Sequence, residues 1–168
     1  MMPNGGRNPI NAQTFREDLM RKAIDKALKQ AMKDRNKVRT ATLRLINAAI
    51  TDRDIDERSK GRDGISNDEI LAVLGKMIRQ REDSAKIYEE NGRLEMADQE
   101  RQEIEVISEF LPEQMCEEDI ESVCREVIEQ TGAQGLRDMG KCMGALKARY
   151  AGQMDFGKAS SVVKDILK

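Results

Sequence analysis

Residues 79–112, RQREDSAKIYEENGRLEMADQERQEIEVISEFLP, decide the fold of this chain. Apolar residues recur at three- and four-residue intervals on both sides of Asn91-Gly92, the pattern of two amphipathic helices. Glycine at 92 suits the left-handed position that closes a helix. Pro112 cannot continue one, and it pushes Leu111 toward extended backbone. The stretch therefore predicts a long helical hairpin, turned at Asn91-Gly92 and ended at Leu111-Pro112. Its second helix carries Leu94, Ala97, Ile104, Ile107 and Leu111 on the inward side.

Working back toward the start, Ser66 with Glu69 forms a capping box at the head of the first hairpin helix. That helix places Ile70, Val73, Leu74, Met77, Ile78, Ala85 and Tyr88 on one stripe. Before it lies Ser59-Lys60-Gly61-Arg62-Asp63-Gly64, a glycine-bearing loop and an expected point of mobility or proteolysis. An earlier helix spans about 37–56, with Val38, Thr42, Leu45, Ile46 and Ala49 inward. The first helix starts at Thr14, where Thr14-Phe15-Arg16-Glu17 fits a capping box, and it buries Met20, Ile24, Ala27, Leu28 and Ala31. Residues 1–13, with one Arg and no apolar core, read as a disordered leader rather than a signal peptide.

After Pro112 three short helices follow. The first spans about 117–130 (Ile120, Val123, Cys124, Val127 and Ile128 inward) and ends at Thr131-Gly132. The second spans about 138–150 (Met139, Met143, Leu146), and the third 155–167 (Phe156, Val162, Val163, Ile166). No alternating strand pattern occurs. The expectation is an all-α chain: an N-terminal four-helix domain over 14–112 with a long helical hairpin, then a small three-helix domain over 113–168.

Composition agrees. Charged residues make up 36% and aromatics only 3%, with no Trp; helix bundles use such straight side chains because they lose little rotamer freedom in a helix. No run of about 18 apolar residues is present, so no membrane-spanning helix is expected. Histidine is absent, which removes the usual general base near neutral pH and the commonest metal ligand. Cys116, Cys124 and Cys142 have no Cys-x-x-Cys spacing and read as thiols of a reducing compartment, taken as the cytoplasm. Charge is uneven. Met20 to Arg44 holds nine bases and two acids, Asp63 to Glu109 six bases and thirteen acids, and Arg137 to the end seven bases and three acids. Either the basic ends form a surface for nucleic acid or an acidic partner, or the helices pair their opposite charges.

Three apparent motifs fail on context. Gly135 to Cys142 approaches a phosphate loop but ends in Cys142 where Ser or Thr would hold magnesium, and no strand precedes it. Asp138 is better read as a helix cap, with Gly140 and Gly144 permitting close helix contact. Asp52-Arg53-Asp54-Ile55-Asp56 resembles the start of a calcium loop, yet position six is Glu57 and position twelve is Asp63; a frayed acidic helix end is the simpler reading. Glu100, Glu103 and Glu105 have no evident pocket, and no Ser-Lys constellation stands out. No catalytic residue, metal site or cofactor is therefore assigned.

Thr42-Leu43-Arg44, Arg79 to Ser84, Tyr88, Gly92-Arg93, Glu100, Glu103-Ile104 and Leu111-Pro112, in that order and spacing, resemble the YqeY family of GatB/YqeY-like proteins. Met139 to Leu146 and Val162 to Leu167 are similar to the C-terminal tail of GatB, the B subunit of glutamine-dependent aminoacyl-tRNA amidotransferase. The resemblance covers about 14–168. It implies a helical domain followed by a three-helix tail, and a tail that helps hold tRNA while the chemistry sits in a catalytic domain lying elsewhere. Two departures stand out: Cys116 occupies the cap where the family has Ser or Thr, and Gly152 to Gly157 replaces an Ala-Asp-Gly turn, with Asp155 keeping the capping role.

The resemblance implies a non-catalytic accessory protein that associates with tRNA or another RNA. Candidate contacts are Arg137, Lys141, Lys147, Arg149 and Lys158 in the tail, and Lys22, Lys26, Lys29, Lys33, Arg35 and Arg39 on the first two helices. One alternative is a carbon-nitrogen ligase with glutamine as amido donor. Another is an interaction module whose acidic hairpin, Glu82 to Glu109, binds a basic protein partner.

Overall fold

The computed structural model describes residues 12–168, and side chains from residue 19 onward. It is all-α. The helices are α1 (Ala12–Lys33), α2 (Lys37–Ser59), α3 (Asn67–Glu90), α4 (Leu94–Ser108), α5 (Glu117–Thr131), α6 (Met139–Tyr150) and α7 (Phe156–Leu167), with a single 3-10 turn at Leu136–Asp138 before α6. No strand occurs among the described residues, and no described helix is long and apolar enough to cross a membrane. Residues 1–11 lie outside the described part, as do the Thr14 and Glu17 side chains of the expected capping box; α1 already includes Ala12.

Local signals act where the chemistry requires them. Ser66 and Glu69 form the reciprocal capping box of α3. Asn36 caps α2 by accepting from the Arg39 amide, and Asp155 caps α7 by accepting from the Gly157 amide. Cys116 heads α5 without a side-chain cap bond; its thiol instead donates to Asp119 at 3.1 Å. Gly92 and Gly132 take the left-handed backbone that ends α3 and α5.

Buried side chains gather in two clusters. One draws on α1 to α4, with Ile24, Leu43, Ile46, Ile70, Leu74 and Ile107 fully buried among its members. The other draws on α5 to α7, around Cys124, Val127, Cys142, Leu146 and Val163. Leu71 is buried in neither. It sits beneath the α6–α7 turn, where a Cβ on Gly152 would lie 3.0 Å from its own Cβ. The Gln114 amide donates to the Gly152 carbonyl at 2.6 Å, and the Met115 N–H to the Gln153 carbonyl at 2.8 Å. The two hydrogen bonds tie the start of the α5–α7 unit to its own α6–α7 turn, and Leu71 brings that turn against α3.

Several expectations are corrected. Leu45 is 49% exposed, while Leu43 and Ile50 are buried. The α2 apolar pattern permits two registers one residue apart, and packing chooses the one ending in Asp54 and Glu57. Leu94 is 63% exposed because it lies at the hairpin tip, and Ile166 is also exposed. Gly140 and Gly144 make no close helix contact: both face solvent, and an added Cβ would meet nothing within 4 Å. Asp138 does not cap α6 with its side chain; it accepts from the Gln134 amide at 3.1 Å.

The acidic end of α2 is not frayed, and the loop expected to be mobile is tied down. Both Asp54 oxygens accept from Arg21, at 2.8 and 2.9 Å, and Oδ1 also accepts from the Ile65 amide at 2.9 Å. Glu57 is buried and accepts from Lys60 at 3.1 Å and Arg62 at 2.6 Å. Arg62 bonds Glu69 as well. The Arg21 hydrogen bonds hold the Asp54 carboxyl below the usual carboxylate range against the opposing effect of burial.

Candidate nucleic-acid interface

The eleven candidate cations separate by their partners. Arg39 donates to Glu109 at 2.6 Å, and that hydrogen bond raises its pKa further. Lys158 pairs with Glu117 at 3.2 Å, and Arg149 donates to Gln130. Lys22, Lys26, Lys29, Lys33 and Arg35 are exposed on and just after α1, with Arg35 in left-handed backbone at φ +54°. The structure thus spreads the candidates over separate faces rather than one patch.

One cationic stripe also carries glycines. Arg137, Gly140, Lys141, Gly144 and Lys147 recur at three- and four-residue steps through the 3-10 turn and α6, so they form one stripe, and all five are exposed. Arg137, Lys141 and Lys147 have no carboxylate partner among the described residues. The opposite side of α6 buries Cys142 and Leu146, which fixes which face looks outward. Glycine inside a helix is about 0.5–1 kcal/mol less favourable than alanine. With no neighbour in the fold needing the space, the two glycines leave a bare strip of backbone between cations. The sequence placed Gly140 and Gly144 on one face for close helix contact; the fold turns that face to solvent instead.

Lys147 also lines a cleft of about 320 Å³ between α3 and the α6–α7 turn, with Leu71, Ala72, Met154 and Phe156 among its walls. Arg79 lines it and approaches Asp155 at 3.8 Å. Among the described residues, no group of three or more His, Cys, Asp or Glu could hold a metal ion. The cysteines are free thiols, with Cys124 and Cys142 buried and Cys116 exposed.

Fold and surface define a class: a small all-helical protein with two buried clusters and a cationic, glycine-bearing helix on its outside. The chain belongs to the YqeY-like protein family, whose model matches residues 21–167. Among curated proteins it is similar to "Altered inheritance of mitochondria protein 41, mitochondrial" from Candida glabrata, 31% identical over 90 residues, covering 54% of this chain and 48% of that protein. The protein of the same name from Clavispora lusitaniae is 33% identical over 84 residues, covering 50% of this chain and 46% of the relative. The chain thus spans about half the length of the curated relatives it matches.

The cytoplasmic assignment is corrected by these relatives, which are named as mitochondrial. Free thiols are compatible with any reducing compartment and do not tell one from another.

Proposed function

We propose that this chain is a non-catalytic accessory protein that associates with tRNA or another RNA through its phosphate backbone, in the mitochondrial setting its relatives' names indicate. The α6 stripe carries the reading: three cations without carboxylate partners flank helix backbone left open by Gly140 and Gly144. Its support includes the resemblance of Met139 to Leu146 to an amidotransferase tail. Phosphates are bound by such cations without base readout. The few aromatic side chains, with Tyr150 and Phe156 only partly exposed, argue against a base-stacking platform. Arg39, Lys158 and Arg149 already have partners and contribute less.

Titration of the full chain with bulk tRNA at about 50 and about 200 mM salt tests this. Binding is expected at the lower salt and to weaken steeply at the higher. Lys141→Glu with Lys147→Glu should lower affinity at least about tenfold and flatten the salt slope by about two. Absence of binding at low salt, or indifference to the double variant, overturns the reading.

Alanine at Gly140 and Gly144 should move two observables in opposite directions. Each substitution is expected to stabilise the fold by about 0.5–1 kcal/mol, read by thermal unfolding. The pair should weaken tRNA binding by several-fold, because two methyl groups would hold the phosphate chain off the helix. A more stable variant with undiminished binding would mean that the glycines serve no close approach.

A further inference from the structure

The hairpin reaches beyond the core that holds it. Its members in the first buried cluster and the residues packed on that cluster end at Ile78 in α3 and begin again at Val106 in α4. No residue from Arg79 to Glu105 belongs to either cluster. The distal hairpin therefore stands as a two-helix arm about 18 Å long, closed on itself by buried Ala85 and Ala97. A mostly enclosed ion pair, Arg81 to Glu103 at 2.8 Å, sits at its base.

The end of this arm is apolar and acidic. Ile87, Leu94 and Met96 are 56%, 63% and 42% exposed. Between Glu82 and Glu105 there are nine acids and three bases. Arg101 pairs with Glu89 and Asp98. Glu82, Asp83, Glu90, Glu95 and Glu105 have no cationic partner among the described residues. Glu100 is half-buried, and burial with Glu103 alongside raises its carboxyl above the usual range, Arg81 offsetting part of this. A cation brought by a partner would relieve that cost.

We propose that the distal hairpin arm is a docking surface for a basic amphipathic helix of another protein, with Leu94, Met96 and Ile87 meeting its apolar face and Glu90, Glu95 and Glu100 meeting its lysines or arginines. The occupant follows from charge complementarity: nucleic acid and acidic segments are repelled by this surface, and three large apolar side chains give a helix its hydrophobic anchors. It lies apart from the α6 stripe, so either reading can fail without the other.

The probe is a fluorescein-labelled amphipathic peptide of leucine and lysine, about four helical turns long, titrated into the full chain by anisotropy. Its leucine–glutamate counterpart is the control. Saturable binding of the basic peptide is expected, with at least about a tenfold loss in Leu94→Ser/Met96→Ser and in Glu90→Lys/Glu95→Lys. All four positions are exposed, and circular dichroism checks that the variants keep their helix content. Lys141→Glu/Lys147→Glu should bind the peptide as well as the parent does. Equal binding of the acidic peptide, or indifference to both arm variants, overturns the proposal. It also falls if sedimentation reveals a dimer that Leu94→Ser/Met96→Ser dissociates, or if tRNA displaces the peptide.

Discussion

Asp54→Ala is expected to lower the thermal unfolding midpoint by roughly 5–10 °C, a loss of about 2–3 kcal/mol for a chain of this size. The carboxylate makes three hydrogen bonds: two to Arg21 and one to the Ile65 amide. Arg21 also donates to the Ile65 carbonyl at 3.1 Å. Alanine leaves a buried amide without an acceptor and removes two of the acceptors of the Arg21 guanidinium. Removing one partner of a fully buried pair costs about 3–5 kcal/mol. The Arg21 side chain keeps 33% of its exposure, so water takes over part of the charge and the lower figure applies. Asn at 54 retains an acceptor and should cost less. Gly64 belongs to the same design: a Cβ there would fall 2.8 Å from Asp54 Oδ1.

The same pair sets a pH dependence. The folded-state pKa of Asp54 is depressed, so near and below the unfolded value, about 3.9, the unfolded chain binds more protons than the folded one. Stability from this group is complete above that value and is lost as pH falls through the folded one. Glu57 and Glu69 are depressed too, by the Lys60 hydrogen bond and the Ser66 amide respectively. Melting temperature should therefore fall steeply below about pH 4, with a shallower fall in Asp54→Ala. A variant melting within a degree or two of the parent at pH 7 would show that the Arg21 pair does not hold the α2–α3 loop.

Gly152→Val should unseat the α5–α7 unit from α3 at a cost of about 2–4 kcal/mol, combining backbone strain and overpacking. Gly152 sits at φ +73°, where a β-branched residue is a genuine outlier. Its Cβ would stand 3.0 Å from Leu71 Cβ and 3.1 Å from Leu71 Cδ1. The Cβ is anchored to the α3 backbone and cannot swing aside. A cycle of Gly152→Ala with Leu71→Ala isolates the part of the clash owed to Leu71 Cδ1 and Cδ2, since alanine keeps the Cβ contact and leaves the strain at 152 unchanged. Hydrogen exchange gives the sharper readout. The Met115 amide, bonded to the Gln153 carbonyl next to Gly152, should lose protection as the turn distorts, while amides around Cys124 in α5 keep theirs. Unchanged Met115 protection and an unchanged melting temperature in Gly152→Val would show that Leu71 does not constrain this turn.

The helical periods, the Ser66–Glu69 box, the Asp155 cap and the glycines at 92 and 132 were legible in the chain, because each depends on residues within a turn or two of one another. The candidate cations were legible as residues but not as a surface. Arg39 meets Glu109 seventy positions away, and Lys158 meets Glu117 across forty-one; no local pattern announces such pairs. The same holds for Asp54 and Glu57, which read as loose acids at a helix end until Arg21 and Arg62 reach them through space.

By itself the sequence settled that this protein is built of amphipathic helices, where most of them start and stop, and that its charge is unevenly shared along the chain. Local sterics, capping hydrogen bonds and hydrophobic spacing decide those matters over a few residues. Which register of α2 turned inward, which cations stayed free, and why Gly140 and Gly144 face water were decided only by tertiary packing. Burial and ion pairing are properties of neighbours brought together from distant parts of the chain, and a linear pattern such as the Leu43 and Leu45 stripes is compatible with more than one such set.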